Sequence, residues 1–370
     1  MATRVMAGRA VPPVPLVRLT ERLRHRLYRI HQRLAPAPVV MLDLILAGWM
    51  SQAIEAAAEL GIADALAAGP LTGGELARRV GADPDAMNRL MRALISRGVF
   101  RQRRDGTYAL NALADTLRAG APVSMAGAAM FYGSPQHREH WSMLAESVRT
   151  GKATIPALRG KGFFDYLTDD AQLAALFNAA MTSISEMAEQ TIVAAYDFTP
   201  CRMIVDVGGG HGRLLAAILS AAPTARGVLY DLPDVVSAAP AQMHKLGVAG
   251  RVRIEAGSFF EDIPAGGDTY VLKHIIHDWP DDEAVVILRK LRAACNAAAT
   301  VLLVELVIPE HDRDFIGKWA DLEMLQGVNG RERTAAQYRT LLERSGFKMT
   351  RVVPTASPFS LVEASVGLVE

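Results

Sequence analysis

The 370-residue chain has only two cysteines, Cys201 and Cys295. Two thiols cannot make a disulfide scaffold or a four-cysteine zinc site. They suit a reducing compartment, so a cytoplasmic location is expected. The chain also lacks an excess of either charge. Its 40 Lys and Arg stand against 39 Asp and Glu, which argues against a surface that grips nucleic acid as a whole. Long apolar runs are missing too. No stretch reaches the roughly 18 residues of a membrane span, and the best candidate, residues 39–50, is short and contains Asp43. Neither a nucleic-acid nor a membrane partner is expected. Residues 1–35 hold eight arginines and one acid, Glu21, but no apolar signal-peptide core. They read as a solvated, partly helical arm, with a transit peptide or a contact to an anionic surface as alternatives.

What is present suffices for about two domains: half the residues are hydrophobic and 21% are charged. Four zones follow, 1–35, 36–130, 131–196 and 197–370. In the second, Thr72 and Glu75 have the spacing of a capping box that opens a helix over 73–80. Asp83-Pro84 opens another over 84–97, with Met87, Leu90, Met91, Leu94 and Ile95 at helical spacing. Asp105-Gly106 marks a hairpin between 99–103 and 107–110. Helix, helix and hairpin read as a winged helix. Arg89, Arg92, Arg97, Arg101, Arg103 and Arg104 would give it a basic face, but fold alone does not fix function. The apolar stretch 39–49 needs cover, and a twofold partner is the expected source. The third zone is helical, with helices over 135–149 and 163–167 and one opening near Asp169 and Asp170.

The last zone alternates apolar, β-branched runs (203–207, 227–230, 252–255, 269–272, 300–306) with helical stretches (213–222, 235–246, 282–294, 335–345). That alternation predicts a parallel sheet with helices on both faces. Two closing strands are expected at 348–353 and 360–364. After the first strand comes Gly208-Gly209-Gly210-His211-Gly212, where glycines let the backbone turn tightly against a ligand. The second strand ends at Asp231. A carboxylate there can accept both ribose hydroxyls of an adenosine-bearing ligand, or it can cap the helix beyond Pro233. Loop and acid together favour a nucleoside cofactor without separating two classes of it. Past the fourth strand, Lys273-His274-Ile275-Ile276-His277-Asp278-Trp279 puts a histidine where ligands of open α/β sheets sit. His277 is placed to act as a base, or is a structural histidine at a helix start. His274 reads as its neighbour across the turn.

These residues, with Tyr230-Asp231-Leu232-Pro233 and Gly257-Ser258-Phe259-Phe260, resemble the S-adenosylmethionine-dependent O-methyltransferases of the plant caffeate and hydroxyindole type, whose bacterial members act on natural products. The resemblance covers nearly the whole chain. It implies a Rossmann-like class I methyltransferase domain over 197–370, a winged-helix dimerisation domain over 36–130 and substrate-side helices over 131–196. It also implies a homodimer with S-adenosyl-L-methionine as cofactor. His277 matches the family's general base, flanked by Glu305 and Glu332. Gly208, Gly210, Asp231, Ser258, Phe259, Lys273 and Ser185 match cofactor positions, and Phe177, Met181 and Met324 the acceptor side. Ser258 departs from the pattern, since many relatives place an aspartate there. Gln326 to Gly330 is about one residue short of the plant pattern.

Other roles are open for several of these residues. Glu332 between Arg331 and Arg333 could form an ordinary surface ion pair. Phe177 and Met181 could be core packing. Glu305 on a core strand would be costly without a partner. The implied reaction is methyl transfer to a hydroxyl of a small, aromatic acceptor. A phenol of pKa about 10 facing free imidazole at about 6.5 makes full proton transfer uphill by roughly 5 kcal/mol, unless a carboxylate raises the histidine's basicity. No metal ligand set is evident. An N- or C-methyltransferase on the same scaffold is the alternative, and a winged-helix regulator with an inactive catalytic domain is another.

Overall fold

The computed structural model describes residues 11–367, so Arg4 and Arg9 of the N-terminal arm lie outside the described residues. The chain divides into two compact units. One holds Arg26–Met143 and Pro156–Met187; the other holds residues 11–25, Leu144–Ile155 and residues 188–367.

A long helix, α1 (Val14–Arg33), comes first, followed by α2 (Ala37–Ile45) and α3 (Ala47–Glu59). Together α2 and α3 form a run, Ala37–Glu59, that is apolar and long enough to cross a membrane by length and composition alone. The composition reading missed this because it stopped at Met50, before the alanine-rich half. Val39, Met41, Leu42, Leu44, Ile45 and Trp49 of this run are exposed.

The rest of the first unit forms where local signals place it. Thr72 accepts a hydrogen bond from the Glu75 amide and donates its own amide to the Glu75 carboxylate, opening the helix Gly73–Val80. Asp83 accepts from the Ala86 amide and opens Pro84–Ser96. Leu76, Met87, Met91 and Leu94 are fully buried between these helices. The hairpin is shorter than expected, with β1 (Arg101–Gln102) paired to β2 (Tyr108–Ala109). Val99 and Phe100 turn inward to the core instead, Phe100 with φ 67°. A second apolar cluster gathers around Phe131 and Leu173. There Phe177 packs edge-on to Phe131 at 5.5 Å and Phe163 at 5.3 Å, with Met181 beside it.

The second unit is built on a seven-stranded sheet in the order β5-β4-β3-β6-β7-β9-β8. The strands are β3 (Met203–Val207), β4 (Arg226–Asp231), β5 (Val252–Ala256), β6 (Thr269–Lys273), β7 (Thr300–Glu305), β8 (Phe347–Pro354) and β9 (Ser360–Val366). β3 to β7 are parallel, as their apolar runs predict. β9 returns antiparallel between β7 and β8. Val205, Tyr270, Leu272, Val301, Leu303 and Val362 fill the core. The expected helix over 235–246 is two pieces, Pro233–Val236 and Ala239–Lys245. Pro240 has no amide hydrogen to carry a single helix through that point. The helix Ile316–Val328 was not foreseen; its apolar residues mark no clear stripe.

Candidate active site

The strand ends on one edge of this sheet carry the polar groups of interest, all within the second unit. At the end of β3, Gly208 adopts φ 67° and Gly210 φ 59°. A side chain on Gly208 would collide with Ile275, whereas the space beside Gly210 is open. Asp231, at the end of β4, does not cap the following helix, whose N-cap is Leu232. Its carboxylate accepts instead from the Gly210 amide at 2.8 Å and the Leu232 amide at 2.7 Å. Loop and acid are thus tied together. Burial pushes the Asp231 pKa up, against those two hydrogen bonds. The Ser258 hydroxyl accepts from the Phe260 amide at 3.3 Å, and the Phe259 ring lies 6.1 Å from that of Trp279. Left-handed glycines with open space beside Gly210, next to a carboxylate at a strand end, fit an adenosine-bearing ligand.

Behind this loop, buried Asp206 has an unpartnered Oδ2. Burial raises its pKa to about 7, against the pull of Lys273. Lys273, at the end of β6, is pushed down by burial while Glu189, Asp206 and Glu305 pull it up.

His277 lies on a single 3₁₀ turn, Ile276–Asp278, directly after β6. Its ring is buried, and its Nδ1 is 2.8 Å from Glu332 Oε1. That contact leaves Nε2 as the nitrogen away from Glu332, 3.4 Å from Asp278 Oδ1. Burial lowers the His277 pKa, but the nearby carboxylates of Asp278, Glu332 and Glu305 outweigh it and raise it to about 10. Asp278 is itself raised by burial to about 6. The sequence reading passed over this residue; its acid next to the histidine was the available signal.

Glu305, at the end of β7, is fully buried and accepts from the Ile276 amide at 3.0 Å. Burial raises its pKa strongly. Glu332 is not a surface residue: it is 3% exposed, and its amide donates to Asp321 Oδ1 at 2.9 Å. The reason is Arg333, which does not pair on the surface beside it. Arg333 is buried, bonds Asp281 at 2.8 Å, and donates to the carbonyls of Ile276 at 2.9 Å and Trp279 at 2.8 Å. The Arg331 amide donates to the His277 carbonyl at 2.8 Å. Gly330 lies so close to that carbonyl that any side chain there would collide with it. Residues 330–333 therefore clamp the His277 turn from both sides.

His274 is more than a neighbour across the turn. It holds φ 55°, a left-handed backbone that costs a non-glycine residue about 1–2 kcal/mol. Its ring lies 4.4 Å from that of His277 and 4.6 Å from that of Phe359. Burial, then His277 and Lys273, keep its pKa well below the ordinary value, so it backs the charged ring as a neutral one. His274, His277 and Glu305 bring potential metal-ligand atoms within 4.8 Å of one another, a grouping the spacing alone did not reveal. His277 Nδ1 is already engaged by Glu332.

The structure thus gathers His277, Glu305 and Glu332 into one cluster, and Gly208, Gly210 and Asp231 into another. Met324 sits on the helix that supplies Asp321, and its carbonyl accepts from the Gly330 amide at 3.2 Å. Phe177, Met181 and Ser185 belong to the first unit. Phe177 and Met181 are half-buried at the edge of the apolar cluster there.

The O-methyltransferase domain profile matches residues 141–348, and the O-methyltransferase dimerisation domain profile matches residues 42–120. A phenazine O-methyltransferase of Lysobacter antibioticus is 40% identical over 329 residues, 89% of this chain and 96% of that one. An 8-amino-8-demethylriboflavin N,N-dimethyltransferase of Streptomyces davaonensis is 34% identical over 312 residues, 83% of this chain and 89% of that one. The crystal structure of human N-acetylserotonin methyltransferase with S-adenosylmethionine superposes with a TM-score of 0.83 at 25% identity, covering 90% of this chain and 99% of that one.

Proposed function

The chain belongs to the O-methyltransferase family, and from that premise we propose that His277 is the general base that takes the proton of an aromatic hydroxyl during methyl transfer. The enzyme uses S-adenosyl-L-methionine, which when bound supplies an electrophilic methyl group, and it carries a homodimerisation domain. The acceptor oxygen forms its bond to the methyl carbon as the carbon–sulfur bond breaks, and the hydroxyl proton passes to Nε2 of His277. The observation that carries this reading is the hydrogen bond of Nδ1 to Glu332. It fixes the tautomer with the proton on Nδ1, leaves Nε2, 3.4 Å from Asp278 Oδ1, as the nitrogen that takes the proton, and stabilises the imidazolium that forms.

The electrostatics move the cost seen in free imidazole from the proton transfer to the deprotonation of the histidine. With His277 raised to about 10, proton transfer from a phenol of similar pKa is near thermoneutral. The neutral base must first be available, which at pH 7 costs about 4 kcal/mol for a gap of about three units. Gly208, Gly210, Asp231, Ser258, Phe259 and Lys273 hold the cofactor in this reading, with Asp231 on the ribose hydroxyls. The roles of Ser185, Phe177, Met181 and Met324 rest on the family resemblance. The acceptor class follows the phenazine-modifying relative: a hydroxylated aromatic natural product, methylated in the cytoplasm without a nucleic-acid partner.

His277→Ala tests the assignment. Turnover of a phenolic acceptor should fall about 10²–10⁴-fold, the range for a positioned general base, while cofactor binding by calorimetry stays near the parent's. Equal turnover would refute it. Nitrogen methylation is the second reading, favoured by the dimethyltransferase relative; an amine analogue of the acceptor, methylated faster than the phenol, would select it. A regulator without activity is disfavoured by the intact His277–Glu332 pair.

A further inference from the structure

The helix α1 lies ahead of both matched domain segments, which begin at residue 42. Leu16, Leu19, Leu23, Leu27 and Ile30, with Leu34 just past its end, are each 53–80% exposed. At about 100° per residue these six side chains fall within an arc of about 80°. The residues half withdrawn from solvent, Val14, Val17, His25 and Gln32, lie on the opposite face. The apolar stripe therefore points outward along about 30 Å of helix. All six arginines of α1 (Arg18, Arg22, Arg24, Arg26, Arg29 and Arg33) are exposed, against a single acid, Glu21. Arg26 and Arg33 flank the stripe on one side and Arg24 on the other.

A second copy of α1 fits this stripe poorly. Pairing two stripes would set Arg24, Arg26 and Arg33 of each helix beside their like, with only Glu21 to offset them. A nucleic acid would satisfy the arginines and leave the leucines in water. An anionic bilayer satisfies both, because its acyl boundary takes the leucines while its headgroups meet the flanking arginines. We propose that α1 is an in-plane anchor that seats this enzyme on an anionic membrane surface. The expectation of no membrane partner, drawn from the absence of a spanning run, does not extend to a helix lying flat on the surface. An apolar aromatic acceptor concentrated in the bilayer would then be met where it accumulates. The anchor itself does not depend on the identity of the acceptor.

The test uses the full chain and sedimentation with vesicles. The protein should pellet with phosphatidylglycerol and stay in solution with phosphatidylcholine, and rising salt should release it. Leu23→Ser with Leu27→Ser should weaken binding at least about a hundredfold. Arg26→Gln with Arg33→Gln should weaken it about thirtyfold, from about fivefold per arginine near an anionic surface. Melting temperature and solution methyl transfer should be unchanged in both variants, because these side chains are exposed. Equal pelleting of the leucine variant and the parent would overturn the proposal. So would no binding to phosphatidylglycerol, or a fall in oligomeric state of the leucine variant by light scattering, which would give the stripe to a second copy. A leucine-independent shift of duplex DNA without vesicle binding would assign the arginines to nucleic acid and overturn it equally.

Discussion

Glu332→Gln separates a charge effect on the base from a loss of structure. The amide oxygen can still accept from His277 Nδ1, which lies 2.8 Å from the carboxylate it replaces, so ring orientation and tautomer survive. What is lost is the charge. A hydrogen bond to a charged group contributes about 1.5–3 kcal/mol and a neutral one about 0.5–1.5. The difference of about 1–1.5 kcal/mol is roughly one pKa unit. His277, held near 10 in the parent, should therefore fall to about 9. The rising limb of kcat/KM moves down with it, giving about tenfold more neutral imidazole at pH 7. The weaker base is also slower once neutral, by about threefold for a half-transferred proton. The two profiles should cross. The variant is about threefold faster at pH 7 and about threefold slower above pH 10. The assay is kcat/KM from pH 6 to 10.5 with two phenols of different acidity, since the enzyme limb must not follow the acceptor. Parallel profiles, with the variant slower by one factor at every pH, would mean that Glu332 only holds the fold and would refute the argument.

Two further outcomes concern stability. Arg333→Met removes the bonds to Asp281 and to the Ile276 and Trp279 carbonyls, and should cost about 2–4 kcal/mol in urea unfolding, chiefly from the two carbonyls left unpaired at about 1–3 kcal/mol each; a loss below about 1 kcal/mol would show that the clamp adds little. Asp206 has a raised pKa in the folded state, about 7 against the ordinary value of 3.8. Its stabilising contribution is complete below 3.8 and is lost as pH rises to about 7. Asp206→Asn mimics the neutral acid, so its melting temperature should fall less than the parent's between pH 5 and 8, measured without cofactor. An identical pH dependence would mean the carboxyl is not held neutral by its surroundings.

The alternating strands and helices of the second unit were legible because parallel strands buried on both faces leave short, continuous β-branched runs. The capping box at Thr72 shows how far local chemistry reaches, since it forms as its side-chain spacing allows. The glycine loop and Asp231 were legible as a pair, but not the hydrogen bond that joins them, because a chain position does not tell which oxygen meets which amide. For Glu332 a surface ion pair stood open beside the flanking role that the resemblance implies, since three charges in a row resemble a solvated face. The decisive residue was Arg333, whose partners lie more than 50 positions away. No local pattern announces such a long-range pairing. His274 was underestimated for the same reason: its ring meets Phe359, from the other end of the domain.

The clamp on the His277 turn has a consequence for the order in which the enzyme comes into being. The glycine loop and Asp231 are local to the first two strands of the sheet. The base is held by residues 330–333, and the strand carrying Glu305 gains its second neighbour only from Ser360–Val366. A chain emerging from the ribosome would therefore assemble a place for the nucleoside long before it has a competent base. A fragment ending before residue 330 could still occupy that place without turning over, and would be a silent competitor for cofactor. Catalytic competence thus reports that the far end of the domain has folded, so activity in this protein is also a check on the completeness of its own synthesis.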